Sequence, residues 1–380
     1  MRIKKCPKIS KFVHNFITPT SIKPLEDRTF FKTFWRFVTL FGLLPRKLTI
    51  SQKHRAILLF LTCCVPTVVQ LFGSVIMSTD SEDKVRGIQT IPVLFLMIFD
   101  ASNFVIKSRK IEDFCEKFNA VMEKYNDEKF CSSKFRSTNL YFITSGLFLL
   151  GSVTSNMVVF ILTGKSGIPT VNIYGTYGLV LLMATQLMFM LYTGAIYLFL
   201  DAFMCSLLFL LSGYSEHLPG HFKSMKIENV REIVEIHLEF KNMVASYEEI
   251  FSTAIMLRGL LNVFALSSIV LEIVDNGISG MSFNVLFFGF NGLFKLFTPC
   301  CYGSFIEQES EKMFRNLFNS TWLDSKLSDK RKLLVLQQNF EKNLKVRAMK
   351  IVEINLETFV KVIQWTYSMY AALWALKNKQ

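Results

Sequence analysis

Residues whose types and spacing could do chemistry are few in this chain, and none forms a working set. Cys63-Cys64 and Cys300-Cys301 are adjacent pairs, whereas thiolate metal sites place two to four residues between ligands, so a structural role is expected. His217 and His221 have the i, i+4 spacing of a helical metal pair, but no acidic or cysteine partner stands at ligand spacing beside them. There is no glycine-rich phosphate loop, no carboxylate pair at usable spacing, and no nucleophile with a plausible base. No enzyme, metal or cofactor is therefore expected. What remains is charge in apolar surroundings: Asp100, Asp201, Lys295 and Lys361 stand within or at the edge of long hydrophobic runs, where a charge requires a partner or water.

The elements that must position these residues follow from composition. The chain has 380 residues, 51% of them apolar and 38 of them Phe, more apolar surface than one soluble core of this size hides. Lipid is the solvent that such a chain needs. Segments 56–77, 137–164 and 166–200 carry no charge, and each reaches the roughly 20 residues that cross a ~30 Å hydrocarbon layer. Only helices satisfy a lone spanning backbone there. Apolar length and charged flanks predict seven spans near 56–77, 87–106, 139–163, 177–205, 252–274, 283–304 and 357–376. The fourth is long enough to continue as a helix toward Leu211, and 228–250 has helical periodicity with a charged face, so a helical layer beneath the membrane is expected. Segment 30–42 is too short to span and reads as an interfacial helix. The first 29 residues carry many charges and no long apolar run, so the first span is expected to act as its own insertion signal.

Orientation follows from Lys and Arg, which resist translocation. Of 43 basic residues, 35 fall in 1–55, 107–138, 213–250 and 306–350, against 5 on the other side (Lys84, Arg86, Lys165, Lys377 and Lys379). The reading is a cytosolic N-terminus and an extracellular C-terminus. The net charge of +13 then reflects insertion topology and inner-leaflet attraction rather than nucleic acid. All eight cysteines fall in spans or on the inner side, so no extracellular disulfide is expected. Asp100 and Asp201 lie toward the inner ends of their spans, where ion pairs or hydrogen bonds among packed helices outweigh a role in permeation. Lys361 lies near the inner start of the last span. This polarity is opposite to that of a G-protein-coupled receptor, whose Asp-Arg-Tyr and Asn-Pro-x-x-Tyr motifs are also missing. The sequon Asn319-Ser320-Thr321 lies in a basic inner loop, out of reach of glycosylation.

The last ninety or so residues narrow the architecture to a family. Pro299-Cys300-Cys301-Tyr302-Gly303, then Glu309-Ser310-Glu311-Lys312, Asn319 and Trp322 resemble the sixth-span exit of insect odorant receptors, with its small-residue turn and Glu-Ser-Glu stretch. Leu356-Glu357-Thr358-Phe359 and Thr366-Tyr367-Ser368 resemble that family's seventh helix, and Leu200-Asp201-Ala202-Phe203 and Ile236-His237 fit upstream. The gustatory receptors share the fold but place Gln-Phe where Leu373-Trp374 stands. The odorant co-receptor is similar but carries a long insertion where 213–228 here is short, which favours a tuning subunit. A gustatory-type channel, and more remotely a G-protein-coupled receptor or transporter, are the alternatives.

The resemblance implies an all-α membrane protein that serves as a subunit of an odorant-gated, non-selective cation channel, with one copy of this chain beside three co-receptor copies. Its expected place is the plasma membrane of olfactory sensory dendrites. The segments expected are a cytosolic 1–55 with the interfacial helix, a ligand-binding bundle over 56–212, helices five and six with anchoring parts over 213–350, and a pore-lining helix with a short tail over 351–380. A small volatile ligand is expected in the outer half of the bundle, among Ile88, Ile91, Pro92 and Phe95, Ser155, Asn156 and Phe160, Tyr177, Leu181 and Thr185, and Phe264, Ser267 and Ser268. Apolar walls with a few hydroxyls suit such a molecule. In the seventh helix Thr366, Tyr370 and Leu373 share a stripe by i, i+4 and i, i+3 spacing, and the resemblance aligns it with the pore gate.

Overall fold

The computed structural model describes residues 81–125, 178–224, 230–280, 283–318 and 344–377, together with scattered helical positions between 54 and 72 and between 143 and 154. The helices are α1 (Ser81–Ile106), α2 (Ser108–Tyr125), α3 (Gly178–Ser224), α4 (Val230–Gly280), α5 (Phe283–Phe318) and α6 (Leu356–Lys377). One small hairpin, β1 (Arg347–Ala348) with β2 (Val352–Glu353), precedes α6. The second, fourth, fifth, sixth and seventh expected spans thus lie on α1, α3, α4, α5 and α6. The expected interfacial helix over 30–42 and the residues Asn319 and Trp322 lie outside the described residues.

Two helices are far longer than a bilayer requires. At 47 and 51 residues, α3 and α4 span roughly 70 and 77 Å at about 1.5 Å per residue, more than twice the ~30 Å hydrocarbon layer. The stretch 213–228, read from sequence as a loop, is helical as far as Ser224 and leaves only 225–229 between the two helices. The sixth-span exit departs from expectation too. Pro299 makes no turn there, because α5 runs through it to Phe318. A proline inside a helix lacks only its own N–H, and it leaves the carbonyl four residues earlier, that of Lys295, without its helical donor. Segment 107–138, expected as an inner loop, likewise contains a helix: α2 buries Ile111, Phe114, Cys115, Phe118 and Val121 at helical spacing and exposes Lys110, Asp113, Glu116 and Lys117.

The densest packing gathers at one end of the bundle. There α2 packs on the first half of α4, and the largest fully buried side chains (Tyr214, Tyr247, Phe118, Phe203, Phe240, Ile111 and Leu207) lie on these elements and on the second half of α3. Edge-to-face pairs lock it, Phe104 with Phe203 at 6.1 Å and Tyr214 with Phe240 at 5.6 Å between ring centroids. Tyr247 donates its hydroxyl to the Met204 carbonyl at 3.3 Å, so even the buried phenol is satisfied. Toward the other end, apolar side chains turn outward: Leu191, Leu260, Val274, Phe290, Leu293 and Phe297 are all exposed. The helical positions in the first and third expected spans do the same, with Leu58, Leu61, Val65, Val69 and Phe72 on one and Leu147 and Leu150 on the other. Outward hydrophobic faces of this extent match a lipid surround.

The hairpin is clamped in place. Met349 and Lys350 hold φ of 50° and 61°, and the Ile351 N–H returns to the Ala348 carbonyl at 3.0 Å, a tight turn with two left-handed residues. Arg347 N–H donates to Glu248 Oε1 of α4 at 2.6 Å, while Lys345 bridges Glu307 of α5 at 3.1 Å and Glu353 at 2.8 Å. The expected segment boundary at 350 falls inside this turn.

Candidate functional site

Three arrangements stand out from the packing: a buried charge cluster, the seam between α4 and α6, and the joint that begins α6. The cluster draws one charge from each of four helices. Arg258 of α4 donates from Nε and Nη2 to Asp100 Oδ2 of α1, at 3.0 and 2.6 Å, and from Nη1 to Asp201 Oδ1 of α3. Lys295 of α5 stands 3.8 Å from Asp201 Oδ2 and 3.5 Å from the centroid of the Tyr197 ring, a cation–π distance. All four charged side chains are at most 8% exposed. Two carboxylates face two cations, so the cluster is neutral as a whole, the condition under which buried charge is tolerable.

Asp100, Asp201 and Lys295 were singled out from sequence, but Arg258, the common partner of the two carboxylates, was not. The signal was present: Arg258 interrupts the apolar run Ile255-Met256-Leu257 and Leu260-Leu261, and an isolated charge there calls for countercharges. Lys361 behaves differently. It is exposed and pairs with Glu357 one turn earlier at 2.7 Å, an ordinary helix-surface contact.

The seam between α4 and α6 is where two groups of expected site residues meet. Ser267 is fully buried, with its Oγ 3.0 Å from the Thr366 carbonyl oxygen and 2.6 Å from that of Val263. Thr366 is itself buried and donates to the Val362 carbonyl at 2.9 Å. Thr366 therefore turns toward α4, while Ile363, Trp365, Tyr367, Met369 and Trp374 make the exposed face of α6. Tyr370 is half-buried, with its ring 6.2 Å from that of Tyr367; Leu373 is placed on α6 by its backbone alone.

The expected ligand residues divide by location. Ile91 is half-buried against the main core, whereas Phe95 is 53% exposed and stacks on Phe99 at 6.4 Å. Thr185 and Phe264 are half-buried, and Ser268 is buried with its hydroxyl donating to the Phe264 carbonyl at 3.0 Å. Ile88, Pro92 and Leu181 are placed on α1 and α3 by backbone alone, and Ser155, Asn156, Phe160 and Tyr177 lie outside the described residues.

The joint gives structural work to the motif residues of α5. A β-carbon on Gly303 would overlap the carbonyl oxygen of Ile354, so only glycine lets the strand after the hairpin lie against α5 here. One residue on, Ser304 Oγ accepts the Leu356 N–H at 2.8 Å, and Ser310 Oγ accepts that of Leu344 at 2.9 Å. Asn355 caps α6 by accepting the Thr358 N–H at 3.0 Å. Lys345 is held protonated above its ordinary range by hydrogen bonds from its ammonium to Glu353 and Glu307.

This helical architecture is matched by a family. The model of the family described as 7tm Odorant receptor matches residues 88–367, well over half of the chain. The chain belongs to the odorant receptor family. Solved structures of the insect olfactory receptor OR5 from Machilis hrabei have the same fold. One superposes with a TM-score of 0.71 at 10% identity, covering 90% of this chain and 97% of that one. A second, of that receptor in complex with eugenol, gives 0.70 at 10% identity and covers 97% of both chains. This odorant receptor is therefore an all-helical membrane protein of the seven-span type, and its family is one of receptors, not of enzymes. The family match also decides between the odorant and gustatory readings that the sequence motifs had set side by side.

Proposed function

We propose that this odorant receptor is a tuning subunit of an odorant-gated, non-selective cation channel. In this reading it binds a small volatile molecule in the outer half of its bundle and opens a pore shared with co-receptor subunits, one copy of this chain beside three of theirs. The observation that carries the reading is the family match over 88–367. The fold shared with an olfactory receptor solved in complex with eugenol supports a small organic ligand for this chain too. The ligand walls are Ile88, Ile91, Pro92, Phe95, Asn156, Phe160, Tyr177, Leu181 and Thr185, with Ser155, Phe264 and Ser268 beside them. Ser267 is the member that also touches α6, so it stands between ligand and pore helix. The stripe Thr366, Tyr370 and Leu373 is assigned to the pore helix's working face, with its Thr366 end packed on α4 and Tyr370 beside the exposed Tyr367. The N-terminus is cytosolic, the C-terminus extracellular, and the working location is the dendritic membrane of olfactory neurons.

The test is a volatile-ligand screen by whole-cell current in cells that co-express the co-receptor, followed by Phe160→Ala. Removing a packed aromatic contact worth about 1.5–3 kcal/mol moves the dose response by ~10-fold or more. No current with any ligand at normal surface expression would overturn the channel reading. Unchanged potency across Ile91, Asn156, Phe160 and Tyr177 variants would overturn the pocket.

A further inference from the structure

The four charges of the buried cluster are unequally held. Arg258 is held firmly, with three donor contacts to two carboxylates on different helices. Lys295 is held less directly: among the described residues its Nζ has no hydrogen-bond acceptor, and it stands 3.8 Å from Asp201 Oδ2 and rests over the Tyr197 ring. Asp100 Oδ1, equally buried, accepts no hydrogen bond from the described residues either. Coulomb attraction and the ring quadrupole alone hold the ammonium, and both contacts are weaker than the charge-assisted hydrogen bonds that hold Arg258. The cluster thus has three members locked together and one, on α5, held more loosely at 3.8 Å from Asp201.

The helix that carries the lock also carries the seam. Arg258 and Ser267 are both on α4, about 13 Å apart along its axis at 1.5 Å per residue. One joins α4 to α1 and α3; the other joins it to α6 at Thr366. Any shift of α4 relative to the helices of the ligand half is therefore passed to the last helix. What resists the shift is a neutral group of charges in an apolar interior, whose energy changes steeply with its balance.

We propose that the charge balance of Asp100, Asp201, Arg258 and Lys295 sets the resting position of α4 against α6, with Lys295 as a positioning residue for channel opening. The inference rests on the channel reading given above. Removing the Lys295 charge leaves the cluster one negative and loosens the tie between α5 and α3. Arginine at the same position keeps the charge and reaches farther with a planar fork, tightening the tie to Asp201. The two replacements therefore act in opposite directions.

The experiment compares Lys295→Met, Lys295→Arg, Asp201→Asn and the double variant Asp201→Asn with Lys295→Met, co-expressed with the co-receptor, with currents normalised to labelled surface protein. Lys295→Met and Lys295→Arg are expected to shift half-maximal odorant concentration about threefold or more in opposite directions, a fraction of the tenfold that 1.4 kcal/mol gives. The double variant, neutral again around the Arg258–Asp100 pair, returns to within about twofold of the unmodified receptor. Variants that change only the amount at the surface, with dose response and leak unaltered in Lys295→Arg, would reduce the cluster to a folding element and overturn the proposal. A second readout needs no current: the rate of disulfide formation between cysteines introduced by Ser267→Cys and Thr366→Cys in isolated membranes. It is expected to change by about threefold when Lys295→Met is added, and an unchanged rate overturns the proposal. Absence of odorant-evoked current from the unmodified receptor would count against the channel reading alone, because cross-linking still reads the seam.

Discussion

Ser267 on α4 touches the backbone of the last helix through a single atom, its Oγ, which lies 3.0 Å from the Thr366 carbonyl oxygen and 2.6 Å from that of Val263 on its own helix. One hydroxyl hydrogen serves two acceptors, and the residue is fully buried. Ser267→Ala removes a hydrogen bond worth about 1 kcal/mol and keeps the close approach. Ser267→Leu forces the helices apart, with an overpacking cost of about 1–3 kcal/mol. The expected outcome is a shift of a few fold in odorant sensitivity for the alanine variant and loss of odorant-evoked current for the leucine variant. Patch-clamp recording with surface labelling checks both.

Gly303 faces the same kind of constraint at the joint before α6, where any β-carbon overlaps the Ile354 carbonyl. Gly303→Val is expected to cost at least 1–3 kcal/mol, the usual penalty of overpacking. It should lower the melting temperature of the detergent-solubilised receptor and reduce surface expression, as fluorescence-detected size exclusion after heating would show. A variant as stable as the unmodified receptor would mean that strand and helix are not in contact.

Lys345 contributes to that joint in a way that pH can read. Because Glu353 and Glu307 hold its pKa above the ordinary value of 10.5, its stabilisation is fully present below about that pH. It is lost only as pH rises through the raised value. Lys345→Met is therefore expected to lower thermal stability equally at mildly acidic and neutral pH, and to lose its effect only in strong alkali. A melting-temperature difference that vanished near neutral pH would contradict the pairing.

Arg258 pairs with two buried carboxylates, so its removal leaves Asp100 uncompensated and Asp201 with Lys295 alone. Breaking a buried pair in this way costs about 3–5 kcal/mol, a large part of the stability of a folded domain. Arg258→Met is expected to remain in the endoplasmic reticulum, scored by glycosidase-independent surface biotinylation. Combining it with Asp100→Asn, which leaves Asp201 facing Lys295 in a neutral pair, should restore part of the surface signal.

Tyr370 and Leu373 carry the pore reading. In cells that co-express the co-receptor, Tyr370→Ala and Leu373→Gln are expected to change leak current and relative calcium permeability in part, since in the proposed channel co-receptor helices line the rest of the axis. Unchanged leak and permeability at normal surface expression would place the stripe against protein or lipid. In the same cells, an epitope tag at the C-terminus is expected to be reachable from outside and one at the N-terminus to need permeabilisation.

Much of this protein is written in one dimension. Hydrophobic length and the placement of Lys and Arg depend only on the order of residues and the thickness of a bilayer, so spans at α1, α3, α4, α5 and α6 could be read within a turn or two at their membrane ends. Their far ends could not. The run past Gly213 and the segment after Pro299 lose apolar continuity where the helices leave lipid, and it is packing of Tyr214 on Phe240 and of Ser310 on the Leu344 backbone that keeps them helical. Asp100, Asp201 and Lys295 were legible as charges needing partners, because desolvation is a property of the residue and its neighbours in sequence. That one guanidinium on α4 answers both carboxylates was decided only by tertiary structure, across 158 positions to Asp100 and 57 to Asp201. The same holds for Thr366: helical periodicity placed it on a stripe with Tyr370, but only the approach of α4 determines that its side of α6 is buried. A stripe says which residues share a face, and the neighbouring helix alone determines what that face meets.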